Sequence, residues 1–138
     1  MRNAQYALEK FDYFCKNSKD MKSDKDNIIL VKSFQFAIRV VNLYKLMLST
    51  KKEFIISKQL VRSGTSIGAN AKEGSRAQSK ADFYSKMSIA LKEASESEYW
   101  IELLAATGYL TDDESQSLLD DCRELIRILM AITASAKN

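Results

Sequence analysis

The 138-residue chain contains no proline and no histidine. Without proline, no segment carries the strongest helix breaker. Without histidine, the commonest general base and the commonest metal ligand are both missing. Ser–His and Cys–His nucleophilic catalysis and histidine-based zinc sites are thereby excluded. Glycine is scarce, with only Gly64, Gly68, Gly74 and Gly108, too few turn signals for an all-β fold. No apolar run approaches the roughly 20 residues of a membrane span, so no membrane is expected. The two cysteines, Cys15 and Cys122, show no CxxC spacing. Cys122 falls on an apolar stripe and is expected as a buried free thiol. The opening MRNAQYALEKFDYF interrupts its apolar residues with charges. It does not read as a secretory signal, so the expected compartment is the cytoplasm.

What is present suits one folded domain: 46% hydrophobic and 28% charged residues exclude a disordered chain. The net charge of +3 hides an uneven distribution. Residues 27–76 carry nine basic and two acidic side chains, whereas residues 77–138 carry six basic and eleven acidic. Three readings stay open. They are oppositely charged helices as simple neighbours in one bundle, a basic surface that serves nucleic acid, and complementary faces that drive self-assembly.

The chain is organised around Glu53–Ser79, which has helical spacing but little bulk. Residues 1–25 read as an N-terminal arm or short helix with a linker, Tyr6, Phe11 and Phe14 packing on the host domain. A first helix spans about Asn27 to Ser49, capped by Asp26 or Asn27. Its seam is Leu30, Phe34, Ala37, Val41, Tyr44 and Leu48, with Val31, Ile38, Val40 and Met47 widening it. A second helix starts at Thr50, where TKKE has the form of a capping box with Glu53. Its inward positions are Ile56, Leu60, Gly64, Ile67, Ala71 and Gly74. Glycine inside a helix costs about 1 kcal/mol against alanine. Gly64, Gly68, Ala71 and Gly74 therefore mark close packing of another backbone. A third helix starts near Ser79, with Asp82 completing its cap, and has the seam Phe83, Met87, Ala90, Ala94, Ser97, Ile101 and Leu104. It stops at Gly108. Thr111 and Glu114 cap a fourth helix, whose seam is Leu118, Cys122, Leu125, Leu129 and Ile132. The expected fold is all-α: an antiparallel up-down-up-down four-helix bundle over residues 26–138.

Four polar residues, Arg62, Asn70, Glu73 and Glu98, are candidates for a structural hydrogen-bond network or a subunit contact. No nucleophile, phosphate loop or metal pattern accompanies them, so neither an enzyme nor a cofactor is expected. The acidic run of the third helix lacks the Glu-x-x-His pairs of carboxylate di-metal bundles. Basic candidates for nucleic-acid binding are Lys45, Lys51, Lys52 and Lys58 at one end of the bundle. Arg62 lies along the second helix, and Lys72, Arg76 and Lys80 lie at the other end.

The segment QLVRSGTSIGANAKEGSRAQSKADF, Gln59 to Phe83, resembles the signature of four-helix-bundle proteins encoded in intervening sequences of 23S ribosomal RNA genes. Gln59, Leu60, Arg62, Ser63, Ser66, Ile67, Asn70, Glu73 and Gly74 match it, as do Ser88, Ala90, Ser95, Glu98, Leu103 and the run Gly108–Leu110. Ala71 and Lys72 stand where the pattern has Ile-Ala. The resemblance covers about Asp26 to Ile132. It implies a homo-oligomer, a pentameric ring, with no small-molecule substrate. A similar fold in the accessory variability determinant of diversity-generating retroelements implies RNA or DNA as partner.

Overall fold

The computed structural model describes residue 9 and residues 24–137. The expected N-terminal arm, with Tyr6, Phe11, Phe14 and Cys15, lies outside the described residues. Four helices follow in order: α1 Asp24–Leu46, α2 Ile56–Gly74, α3 Lys80–Ala106 and α4 Asp112–Ala136. No strand occurs among the described residues. Short connections alternate the helix directions, giving an all-α four-helix bundle in which each helix packs on its chain neighbours and α4 returns to α1. The α2–α3 seam is the most extensive and the α1–α4 seam the least.

Local capping chemistry sets two of the four helix starts as expected. The Ser79 hydroxyl accepts the Asp82 backbone N–H at 3.0 Å, opening α3. Thr111 and Glu114 form a full capping box on α4. Gly108, at φ +86°, ends the α3 excursion, where Tyr109 N–H bonds back to the Leu104 carbonyl at 2.9 Å. Only glycine adopts that backbone without a steric cost.

The other two starts differ from expectation. Asp26 and Asn27 lie inside α1, which already runs from Asp24. Thr50 does not cap α2. It belongs to a wide π-helical turn, Met47–Lys51, that extends α1. Lys52 then turns left-handed at φ 56°. Glu53 supplies the cap instead, from outside the helix. Its carboxylate accepts the backbone N–H groups of Ile55, Ile56 and Ser57 at 3.0, 2.8 and 2.8 Å. The sequence pattern identified the capping glutamate and misplaced the helix it caps.

The seams of α3 and α4 are buried as their periodicity predicts, with Phe83 only half-buried. The α1 seam is rotated. Leu30 of the expected seam and Val40 and Met47 of its flank are buried with Ile29, Ser33 and Phe36, whereas Phe34, Ala37, Val41 and Tyr44 are half-buried and Leu48 is exposed. Phe36 is the largest fully buried side chain, and burying a ring of that size contributes roughly 1.5–3 kcal/mol. The rotation buries Phe36 and also brings opposite charges together. Lys32 and Arg39 reach across to Glu124 and Asp121 of α4, so the polar face of α1 turns toward a neighbour and not squarely toward solvent.

Small residues place α2 against both partners. A Cβ on Gly64 would sit 2.8 Å from Val40 Cγ2, and one on Gly68 would sit 3.2 Å from Ser33 Oγ. Both contacts are with α1. A Cβ on Gly74 would meet Met87 Cε of α3 at 2.9 Å, and Ala71 is fully buried. Between α2 and α3, the buried Ser63 and Ser97 hydroxyls lie 2.8 Å apart. Each also reaches a carbonyl of its own helix, Ser63 that of Leu60 at 3.3 Å and Ser97 that of Glu93 at 2.8 Å. The Cys122 thiol is buried and free, as expected, and donates to the Ala94 carbonyl at 3.2 Å. Burial pushes its pKa up to about 12.

The glycine contacts differ in kind, and alanine substitutions separate them. Gly64→Ala drives a methyl into branched Val40, at an overpacking cost of about 1–3 kcal/mol, against a helix-propensity gain of about 1 kcal/mol. A net loss of about 1 kcal/mol is expected for Gly64→Ala and a change near zero for Gly68→Ala, read from urea midpoints. Equal losses at the two sites would contradict this assignment.

Candidate functional site

Part of the charge asymmetry is taken up between helices, where three of the nine basic side chains of residues 27–76 find acidic partners. Every ion pair among the described residues joins two different helices. Lys32–Glu124 at 2.5 Å and Arg39–Asp121 at 2.6 Å tie basic α1 to acidic α4. Arg39 also donates to the Ser117 carbonyl and hydroxyl at 3.2 and 3.1 Å. Arg62 of α2 pairs with Glu96 and, at 3.4 Å, with Glu93 of α3. Lys86–Glu73 at 2.9 Å and Arg123–Glu98 at 2.8 Å complete the set. These pairs are partly exposed and each contributes at most about 1 kcal/mol. Their main effect is to decide which basic groups are left over.

The four polar candidates do not form one network. Arg62 sits with Glu93 and Glu96, and the Trp100 indole also donates to Glu96 at 3.1 Å. The Arg62 hydrogen bond holds the Glu96 carboxyl below the usual carboxylate range. The Asn70 amide bonds only within its own helix, to the Ser66 carbonyl at 2.8 Å. Glu73 faces Lys86, and Glu98 faces Arg123. Each has a separate structural partner, and Arg62 is not a free cation for a phosphate. No group of three or more Cys, Asp or Glu side chains among the described residues is arranged to hold a metal. None of the described helices is long and apolar enough to cross a membrane.

The remaining basic candidates make no ion pair among the described residues, and they separate by end. At the α2–α3 end, Lys72 lies in the last turn of α2, Arg76 in the connection and Lys80 at the first position of α3. Arg76 and Lys80 are exposed and Lys72 is half-buried. A 300 Å³ hollow here is bounded by Gly74, Gln78, Ser79, Lys80 and Phe83. The nearby Glu73 is engaged by Lys86, which leaves the positive charge of this end in excess.

The opposite end is mixed. Lys45, Lys51, Lys52 and Lys58 are exposed around the α1–α2 loop. The α4 N-terminus at the same end carries Asp112, Asp113 and Glu114. Hydrogen bonds from Thr111 lower the Glu114 pKa, and the charge of Lys51 lowers it further. A groove of about 610 Å³ opens here between α1 and α4, lined by Leu43, Leu46, Leu110 and Leu118 with Asp113 and Glu114. Two side chains passed over in the sequence stand out beside it. Phe54 is 60% and Ile55 71% exposed. Their signal was the apolar run Phe54–Ile56 directly after two lysines and a glutamate, of which only Ile56 has a place in the helical seam.

The profile of the 23S rRNA-intervening sequence protein family matches residues 25–131, nearly the whole bundle. The chain belongs to that family. The bundle of this family member is similar to a crystal structure from Bacteroides thetaiotaomicron, described as a protein with unknown function from the S23 ribosomal protein family. The two are 52% identical, with a TM-score of 0.79, over 80% of this chain and 98% of that one. No curated protein matches the chain.

In this intervening-sequence family protein, Glu53 holds the α1–α2 loop through its ionised carboxylate. Burial would raise its pKa from the usual 4.5, but the hydrogen bonds from Ser57, Ile56 and Ile55 outweigh that and lower it. A lowered folded pKa gives stability that is present above the unfolded pKa and lost as pH falls through the folded value. Glu53→Gln should therefore cost about 1–2 kcal/mol at pH 7, as loss of a helix cap does. The gap should shrink as pH falls below 4.5, in urea titrations at several pH values. A gap independent of pH would mean that the carboxylate charge is not what holds the loop.

Proposed function

We propose that the chain is a non-enzymatic, cytoplasmic helical-bundle protein that assembles with copies of itself and binds RNA or another nucleic acid through a basic surface. The supporting observation is the positive charge left over at the α2–α3 end. Lys72, Arg76 and Lys80 converge on one short connection without an ion-pair partner among the described residues. The N-terminus of the 27-residue α3 points to the same place and adds the positive end of its dipole. Lysine and arginine contacts to phosphate give affinity without base reading, which suits a surface with no base-reading motif. Self-assembly repeats the patch and raises affinity through multivalency.

The other reading, a protein-interaction scaffold whose charge asymmetry drives assembly without nucleic acid, has less left to work with. Lys32, Arg39 and Arg62 are already paired inside one protomer.

Fluorescence anisotropy with a labelled single-stranded RNA tests the proposal. Binding is expected at low salt and should fall log-linearly as salt rises. The variant K72Q/R76Q/K80Q should bind more weakly, with a slope shallower by about 0.7 for each phosphate contact removed. Absence of binding at low ionic strength would sink the proposal. Affinity unchanged in the triple variant would move the site elsewhere.

A further inference from the structure

We infer that the α1–α2 loop is the assembly tip of the protein, and that Phe54 and Ile55 of one copy seat in the α1–α4 groove of the next. The inference rests on the self-assembly proposed above and assigns its surfaces. A soluble domain rarely exposes neighbouring large apolar side chains without a partner, and here an aromatic ring and an isoleucine project side by side at 60% and 71% exposure.

The loop that carries them is held on both sides. Lys52 and Glu53 backbone N–H groups both bond to the Met47 carbonyl, the latter at 3.1 Å. The Glu53 carboxylate then takes three N–H groups of the α2 start, including that of Ile55 itself. The tip is thus pre-organised, and little ordering entropy is lost when it docks.

The occupant is argued from complementarity of charge as well as of polarity. The tip is apolar and flanked by Lys51, Lys52 and Lys58, while the one acidic residue within it, Glu53, is buried and committed to its cap. The groove has the converse make-up. Four leucines line it with Asp113 and Glu114, Asp112 stands next to them in the first turn of α4, and Arg39, which also lines it, is neutralised by Asp121. Its volume of about 610 Å³ exceeds that of two large side chains. Within one chain the tip does not fill the groove, as the exposures show. The tip stands where α1 passes into α2 and the groove lies between α1 and α4, so they are different patches of one surface. With each tip seated in the groove of the next copy, and not exchanged reciprocally between two, the interface is heterologous and propagates head to tail, closing into a ring when the rotation allows.

Sedimentation equilibrium and native mass spectrometry of the full chain provide the test. One variant, F54S/I55S, removes the tip. A second, N42W, fills the groove from Asn42, an exposed residue on its lining. Circular dichroism melts confirm that both remain folded. Each variant alone should lose self-association by roughly a hundredfold, the effect of removing an interface anchor. Mixed in equal amounts, they should form a heterodimer and nothing larger, because one intact tip meets one intact groove. A wild-type oligomer left at the same size by F54S/I55S would overturn this inference while self-assembly stands. A wild-type chain of protomer mass at every concentration would overturn both, and its co-sedimentation with phosphatidylserine vesicles would then assign the tip to a membrane surface.

Discussion

The bundle depends on how closely α1 and α2 approach at Gly64 and Gly68. Both helices are basic, and no ion pair joins them among the described residues, whereas α1–α4, α2–α3 and α3–α4 are all bridged by opposite charges. The α1–α2 seam must be held by contact alone. Removing two β-carbons from α2 lets Val40 and Ser33 come to within van der Waals distance of its backbone, which gains dispersion along the seam. With α1 and α2 fixed, acidic α3 and α4 close the other sides and neutralise Lys32, Arg39 and Arg62.

That sorting explains why charge along the chain is a poor guide to charge on the surface. Residues 27–76 are strongly basic as a sequence, yet three of their basic side chains act as internal fasteners. The residues left over fall at the two ends, where the surroundings differ. At the α2–α3 end Lys72, Arg76 and Lys80 outnumber Asp82, the acidic residue in the first turn of α3. At the α1–α2 end the left-over lysines meet the acidic first turn of α4 and an exposed apolar tip. A sum over the segment conceals this division of labour.

Features that depend on a few adjacent residues were legible in the sequence. The Ser79 and Thr111 caps, the Gly108 stop and the small inward residues of α2 follow from local chemistry, and so do the seams of α3 and α4. The phase of α1 was not legible. Ile28, Ile29, Leu30, Val31, Phe34, Phe36, Ala37, Ile38, Val40 and Val41 place apolar side chains around most of its circumference. The face opposite Lys32 and Arg39 then looks like the core. It is not: the helix is turned so that Phe36 is buried and those two cations meet α4. Their partners lie 92 and 82 residues away, beyond any local pattern. The role of Glu53 was half legible: a glutamate three residues after a threonine looks the same whether it completes a box at Thr50 or serves as the cap itself. The exposure of Phe54 and Ile55 follows from a left-handed Lys52 and a π turn, and neither has a marked sequence signature.

The hydrogen-bonded hydroxyls of Ser63 and Ser97 have a mechanical consequence. Helices faced with glycine, alanine and serine present smooth surfaces, and smooth surfaces slide. A slip of one residue moves one axis 1.5 Å along the other, at small loss of contact when no bulky side chain interlocks. The two buried hydroxyls act as a detent against that motion. Displacing either by one residue breaks the bond between them, at roughly 0.5–1.5 kcal/mol, while each hydroxyl keeps a carbonyl of its own helix, Leu60 or Glu93. Beside the bulk of Leu60, Ile67 and Met87, the small side chains of the two helices thus contain a catch that favours one axial position.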